Sequence, residues 1–244
     1  KEQVEGGYNA SATSPSFGLM YKLNNNVSVY GNWMQGLIPG TEVSKKYANK
    51  GQYLDPVKTT QREFGFKWDK GNLGGTLSYF HINQQIPYAD PVTNIYDYNG
   101  KQQSKGASFT VYGDITEKLH LLGGMSFMNV KNIGGTYDGN RYCGTPKWIG
   151  TLAMTYDVTD AFSLNTRLMY NSSAWADNKN TKKIGAWTRL DLGAKYKWTN
   201  MKNPMTLSCN GINVLGHKYW YGAGDNSVYL GTPRTFVVSL GIDF

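Results

Sequence analysis

The chain has 244 residues, 40% of them hydrophobic, and a mean hydropathy of −0.49; no run approaches the ~18 apolar residues of a membrane-spanning helix, which excludes a helical membrane protein. The formal charge of +8 is carried by singly scattered basic residues, which argues against a nucleic-acid groove but admits anionic lipid or an anionic ligand. The 18 Tyr, 7 Trp, 9 Phe and 29 Gly point to strands, membrane interfaces and tight turns.

Period-2 alternation predicts about eleven strands. In chain order they run from 14 to 23, 27 to 36, 58 to 69, 75 to 86, 103 to 116, 119 to 131, 145 to 158, 161 to 175, 186 to 198, 204 to 215 and 231 to 244. Many are far longer than the usual strand of about 5 to 6 residues, as a tilted membrane span requires. Such a strand shows lipid only every second side chain, so mean hydropathy stays low while the alternation carries the signal.

The apolar face can be followed through the chain. It holds Phe17, Leu19 and Tyr21; then Phe64, Phe66 and Trp68; then Ala107, Phe109, Val111 and Ile115. Further on come Trp148, Leu152, Met154 and Tyr156, then Phe162, Leu164, Leu168 and Tyr170, then Leu190, Leu192, Ala194, Tyr196 and Trp198. Opposite them stand mostly Gly, Ser, Thr and charged residues, such as Arg189, Asp191, Lys195 and Lys197, which implies a water-filled or plugged lumen. Strands 75 to 86 and 119 to 131 alternate too poorly to assign a facing. The terminal segment GTPRTFVVSLGIDF puts Phe236, Val238, Leu240, Ile242 and Phe244 on one face, the pattern with which an outer-membrane barrel ends.

Connections are of two kinds in strict alternation. Short turns fall at Asn24 to Asn26, Lys70 to Asn72, Glu117-Lys118, Thr159-Asp160 and Thr199 to Asn203, and the segments between them run to roughly 9 to 21 residues. Short turns belong on the periplasmic side and long loops outside, which places the C-terminus on the periplasmic side. Tyr21, Trp68, Tyr156, Phe162 and Trp198 stand beside the turns, and Trp33, Trp148 and Tyr170 nearer the loops, as two interfacial girdles would. Cys143 falls in a loop and Cys209 in a strand, so no disulfide is expected between them.

The stretches SPSFGLMYKLNNNVSVYGNWMQGLIPG (14 to 40), REFGFKWDKGNLGGTLSYFHINQ (62 to 84), AWTRLDLGAKYKW (186 to 198) and NVLGHKYW followed by YLGTPRTFVVSLGIDF (213 to 244) resemble the C-terminal half of TonB-dependent siderophore receptors. The resemblance runs along nearly the whole chain. It implies an all-β fold, a transmembrane antiparallel barrel of about 22 strands closed by a plug domain, of which residues 1–244 would form the C-terminal part. It further implies import of a ferric siderophore, with TonB acting through a plug outside this sequence, in a bacterial outer membrane of lipid and lipopolysaccharide. About eleven strands leave two edges unpaired, so the remaining barrel strands are expected from other residues or another chain. The sequence opens on Lys1 without a Met, as a mature or truncated piece would, whereas Phe244 has the look of a true end.

Catalytic signatures are lacking. His81, His120 and His217 show no ligand spacing, no G-x-S-x-G elbow occurs, and the glycine pairs at 123–124 and 134–135 lack the basic residue and helix of a phosphate loop. The expectation is no enzyme, no metal site and no cofactor beyond the transported chelate. Aromatics crowd the long loops instead: Tyr47, Tyr53, Tyr88, Tyr96, Tyr98, Tyr137, Tyr142, Trp175, Tyr219, Trp220, Tyr221 and Tyr229. Of these, Tyr53, Tyr88, Tyr96, Tyr98, Tyr142, Trp175, Tyr219, Trp220 and Tyr221 form the candidate ligand surface, with Lys45, Lys46, Lys101 and Arg141 favouring an anionic complex. The bland alternative is that these rings only pack the loops together. Transport of a ferric siderophore, with a lean to the hydroxamate type, competes with a passive porin, whose polar lumen would give the same strand pattern. A soluble β-sandwich module is disfavoured by strand length and girdles.

Overall fold

The computed structural model describes residues 13–224 and 226–243, so the expectations for Lys1 and Phe244 lie outside the described residues. The strands are β1 (Ser16–Asn24), β2 (Val27–Ile38), β3 (Val57–Lys70), β4 (Leu73–Ala89), β5 (Tyr96–Thr116), β6 (Leu119–Ile133), β7 (Trp148–Asp157) and β8 (Phe162–Asn171). They continue with β9 (Ala174–Trp175), β10 (Lys183–Ile184), β11 (Trp187–Trp198), β12 (Met205–Ile212), β13 (Trp220–Gly224), β14 (Ser227–Leu230) and β15 (Thr235–Ile242). No helix occurs among the described residues. An 11-stranded antiparallel sheet follows the order β1-β2-β3-β4-β5-β6-β7-β8-β11-β12-β15, with β1 and β15 as its open edges. The pairs β9–β10 and β13–β14 are small hairpins within long loops, too short to show as alternation in the sequence.

Cross-strand register assembles the apolar face. Leu19, Gly31, Phe64, Tyr79, Ala107, Phe127 and Trp148 stand in one transverse row from β1 to β7, and Leu152, Leu168 and Leu190 in another. Because direct cross-strand partners share a face, the register settles the two strands whose alternation is poor. On β4, Leu77 and Tyr79 join the apolar face while Phe80 and Ile82 face inward; on β6, Leu121, Met125 and Phe127 join it and Leu122 faces inward. The inner wall is therefore less purely polar than the sequence suggests, with Tyr112 and Leu122 on it as well.

Glycine makes room where large rings cross neighbouring strands. A Cβ on Gly75 would run into Trp68, whose ring reaches across to stack on Phe109 at 5.7 Å. One predicted loop is smaller than expected. β4 and β5 extend to Ala89 and back from Tyr96, leaving only residues 90–95 as connection where 87 to 102 was expected. Pro87 falls in the register shift between Ile86 and Tyr88: without an N–H it breaks the ladder locally, which reads as a strand end in sequence although pairing resumes beyond it. Cys143 is buried in the loop between β6 and β7 and Cys209 is exposed on β12, with no disulfide between them.

Candidate functional site

The long loops after β6, β8 and β12 close over the inner face of β7, β8 and β11. There a cavity of about 420 Å³ is lined by Ile149, Asn171, Trp187, Arg189, Tyr219, Trp220 and Tyr221, with Gly144, Ile184 and Gly222 on its loop side. Ile149, Asn171 and Trp187 are successive cross-strand partners on the inner face, so the cavity opens toward the lumen side at the long-loop end.

Tyr219 forms the centre of its wall. It is buried, stacks on Trp187 at 4.2 Å, and lies so close over Gly231 that a Cβ there would clash with its ring. Arg189 Nη1 approaches the Tyr219 hydroxyl at 3.5 Å. Trp220 and Tyr221 begin the β13–β14 hairpin, are 53% and 45% exposed, and so present free ring surface; Tyr221 packs on Tyr229 at 5.6 Å.

A polar chain behind the cavity fixes this loop. Asp191 accepts from Arg167 (Nε 3.1 Å, Nη2 2.9 Å) and from Arg189 Nη2 (2.9 Å) at Oδ2, and from the Asn213 amide (2.8 Å) at Oδ1. Asn213, buried and at φ 52°, in turn donates to the carbonyls of His217 and Thr232, each at 2.9 Å, and accepts from the His217 amide. One carboxylate thus serves two guanidiniums, leaving the triad one net positive charge, and of its members Arg189 lines the cavity, which suits an anionic guest.

The three loops also hold one another. Gly144 at φ 72° donates its amide to the Trp175 carbonyl at 2.7 Å, and lies so close to Gly222 that a Cβ on Gly222 would run into the Gly144 backbone. Asn180, at φ 59°, accepts from the Arg141 amide and donates to its carbonyl. Asp177, buried, accepts from the Thr181 hydroxyl (2.6 Å) and from the amides of Thr181 and Lys182. The Thr181 hydroxyl and then the Lys182 amide hold its carboxyl below the ordinary carboxylate range.

Of the nine candidate residues, Tyr219, Trp220 and Tyr221 line the cavity. Trp175 is adjacent, its ring under Lys183 Nζ at 6.0 Å and its carbonyl on Gly144. Tyr142 sits in the loop before β7, its carbonyl accepting from the Thr145 hydroxyl at 2.6 Å. The others lie elsewhere. Tyr88, Tyr96 and Tyr98 are on β4 and β5 rather than in a loop. Tyr88 donates to Asn132 Oδ1 at 2.8 Å and meets Tyr137 edge-on; Tyr96 stacks on Tyr47 at 4.4 Å; Tyr53 bridges to Glu42. Lys101 shares the apolar face and so points away from the lumen side. Trp187 and Arg189 were not among the candidates. The signal available for them was parity: an aromatic and a guanidinium on the polar face of a strand, at its loop end.

A family model described as TonB dependent receptor-like, beta-barrel, matches residues 2–214. The chain belongs to this TonB-dependent receptor family. Its members are receptors and transporters of the bacterial outer membrane, not enzymes, and the all-β sheet is a portion of their barrel. The ferrichrome receptor FcuA of Yersinia enterocolitica is 30% identical over 251 residues, covering 98% of this chain and 33% of that protein. The metal-pseudopaline receptor CntO of Pseudomonas aeruginosa is 26% identical, covering 96% and 34%. Among solved structures, the ferric preacinetobactin receptor BauA of Acinetobacter baumannii superposes with a TM-score of 0.86 at 29% identity, covering 96% of this chain and 36% of that one. The chain therefore spans about a third of the length of each of these two relatives.

Proposed function

We propose that this TonB-dependent receptor chain takes part in the import of a ferric siderophore across the outer membrane, with energy delivered through TonB. The observation that carries this reading is the cavity at the long-loop end, where Trp187, Tyr219, Trp220 and Tyr221 offer aromatic surface beside the Arg189 guanidinium. A volume of about 420 Å³ with an apolar wall and one cationic group is within the range of small-molecule sites. Flat rings accept the faces of a metal chelate, and the uncompensated guanidinium charge favours an anionic one. Family membership and the names of the relatives, which include ferrichrome and preacinetobactin receptors, support the same reading.

Ferrichrome is the first ligand to test, as the hydroxamate-type chelate named for the 30% relative. We further propose that residues 1–244 supply the C-terminal part of the barrel, with strands outside this sequence closing the edges at β1 and β15 and a plug filling the lumen; the two open edges and the one-third coverage support this.

The test is binding of ferric chelates to the intact receptor and to its Tyr219→Ala/Trp220→Ala/Tyr221→Ala variant. Loss of affinity in the variant is the expected result, and unchanged affinity would remove this cavity from the transport path. Because a polar inner wall also suits a passive channel, single-channel conductance separates the two: a plugged receptor conducts little, whereas a steady open current would favour the porin.

A further inference from the structure

The inner wall divides into two sectors of different chemistry. On β4 to β6 it carries large apolar side chains: Phe80 and Met128 flank Gly106, and Tyr112 pairs with Leu122. Tyr112 and Leu122 are 46% and 59% exposed on a face turned away from lipid. Apolar groups in that position are stabilised by a dry surface packed against them. On β8, β11 and β12 the same face is built from short hydrogen-bonding side chains and cations. Below the Arg167–Asp191 pair, cross-strand rows run Asn165–Gly193–Asn210, then Ser163–Lys195–Ser208, then Lys197–Thr206 toward the short turns, and no apolar side chain stands in them. A Cβ on Gly193 would run into the amide oxygens of both Asn165 and Asn210, so the two amides meet over the glycine. None of the ion pairs among the described residues involves Lys195 or Lys197.

The polar sector starts at the cavity. Arg189 lines the cavity and shares Asp191 with Arg167. Arg167 and Asp191, with Thr155, Asn165 and Asn210, then line a second recess of about 460 Å³. A third, of about 290 Å³, follows at the short-turn end, where Lys118, Lys195 and Lys197 stand with Glu117, Asp157 and Asp160. At the rise of a β-strand, the eight residues from Arg189 to Lys197 span about 27 Å, so the three recesses descend in line along most of the wall. Their charge falls along the way. The Arg167–Asp191–Arg189 group carries one net positive charge, whereas the three lysines of the lowest recess are matched by three carboxylates. An anion is therefore drawn in at the upper end and released at the lower, which is what passage, as opposed to storage, requires.

We propose that the β8–β11–β12 sector is a hydrated, anion-accepting passage that leads an anionic ferric chelate from the cavity toward the short-turn end, with Arg167, Asn165, Asn210 and Lys195 as its stations, while the plug seats against the apolar sector of β4 to β6. The proposal rests on the transport reading for the identity of the guest. The sidedness of the passage rests on the wall alone.

The test maps thiol access in the detergent-solubilised intact receptor, in a Cys143→Ala/Cys209→Ala background. Single cysteines are placed on the polar sector by Asn165→Cys or Ser208→Cys, and on the apolar sector by Thr110→Cys or Ser126→Cys. Each is labelled with an anionic reagent, 2-sulfonatoethyl methanethiosulfonate, and with its cationic trimethylammonium counterpart, and rates are referred to the same protein unfolded. Both polar-sector sites are expected to react at least tenfold faster than both apolar-sector sites. At Ser208→Cys, beside Lys195, the ratio of anionic to cationic labelling is expected to fall at least threefold when Lys195→Gln/Lys197→Gln is added. Should that pair of substitutions fail to assemble, Lys195→Gln alone carries the comparison. Equal labelling of the two sectors, faster labelling of the apolar one, or a ratio that the loss of the lysines does not move would overturn the proposal. The labelling is read without any chelate present. A cavity that fails to bind ferric chelates, and a wall that fails to conduct anions, are thus separate results.

Discussion

Trp187 and Tyr219 stack with ring centroids 4.2 Å apart and planes inclined by 24°, joining the loop end of β11 to the long loop after β12. Through this contact a strand of the barrel wall positions the aromatic run Tyr219-Trp220-Tyr221. Tyr219→Ala is expected to weaken ferric chelate binding about tenfold, since an aromatic contact is worth ~0.5–1.5 kcal/mol and ~1.4 kcal/mol is a factor of ten. Tyr219→Phe keeps the ring and loses only the long contact from Arg189, so it is expected to stay within about threefold. Quenching of intrinsic fluorescence by the ferric chelate measures both.

Asp191 is the anion shared by Arg167, Arg189 and the Asn213 amide. Asp191→Ala leaves two guanidiniums facing each other and an amide without its acceptor. With Arg167 half exposed, the loss is expected at about 2 kcal/mol, below the 3–5 kcal/mol of a fully buried pair. Thermal unfolding of the detergent-solubilised receptor measures it, and the loop carrying Tyr219 is expected to exchange amide hydrogens faster. An unchanged midpoint would show that the network contributes nothing net.

Gly222 and Gly144 are in backbone contact where two loops cross. A methyl at Gly222 has backbone, not a flexible side chain, in its way, so Gly222→Ala is expected to cost about 1–3 kcal/mol and to push the β13 hairpin off the cavity. Reduced chelate affinity with the barrel still assembled is the expected pattern; full binding by Gly222→Ala would contradict it.

Asp177 titrates outside the membrane span. Its carboxyl is held below the ordinary value by the Thr181 hydroxyl and the Lys182 amide. A depressed folded value means that its stabilisation is complete above the unfolded carboxylate value of about 3.9 and is lost as pH falls through the folded value. Hydrogen exchange across residues 176–184 is therefore expected to be flat from pH 7 to about 5 and to rise below about pH 4 once intrinsic exchange is corrected. Asp177→Asn is expected to remove that acid-side rise.

Cys209 tests the facing of the wall. Its register partners Ala194 and Val238 are on the apolar face. A nitroxide label at Cys209, in a Cys143→Ala background, is expected to be relaxed more by oxygen than by a water-soluble nickel chelate. The reverse order would put β12 the other way round.

Much of this protein was legible in its sequence because a barrel strand repeats every two residues and each side chain's environment follows from its own position. The alternation in 186 to 198, with Leu190, Leu192 and Ala194 against Arg189, Asp191 and Lys195, marked the class and the facing of that strand without reference to any partner. Where neighbouring residues were both apolar, as at Leu121-Leu122, the period was silent and only the pairing of Leu121 with Met154 decided the face. The extension of β4 past Pro87 was hidden for a related reason: local chemistry marks a break, while cross-strand pairing with β5 carries the strand on. The site shows the limit more plainly. Sequence could mark Tyr219, Trp220 and Tyr221 as aromatic, and equally Tyr88 and Tyr96, because composition does not record which loops meet. What brings the first three to Trp187 and Arg189 is the Asp191–Asn213 link and the Gly144–Gly222 crossing. These are contacts between segments far apart in the chain, and they exist only once the sheet has curved its strands into place.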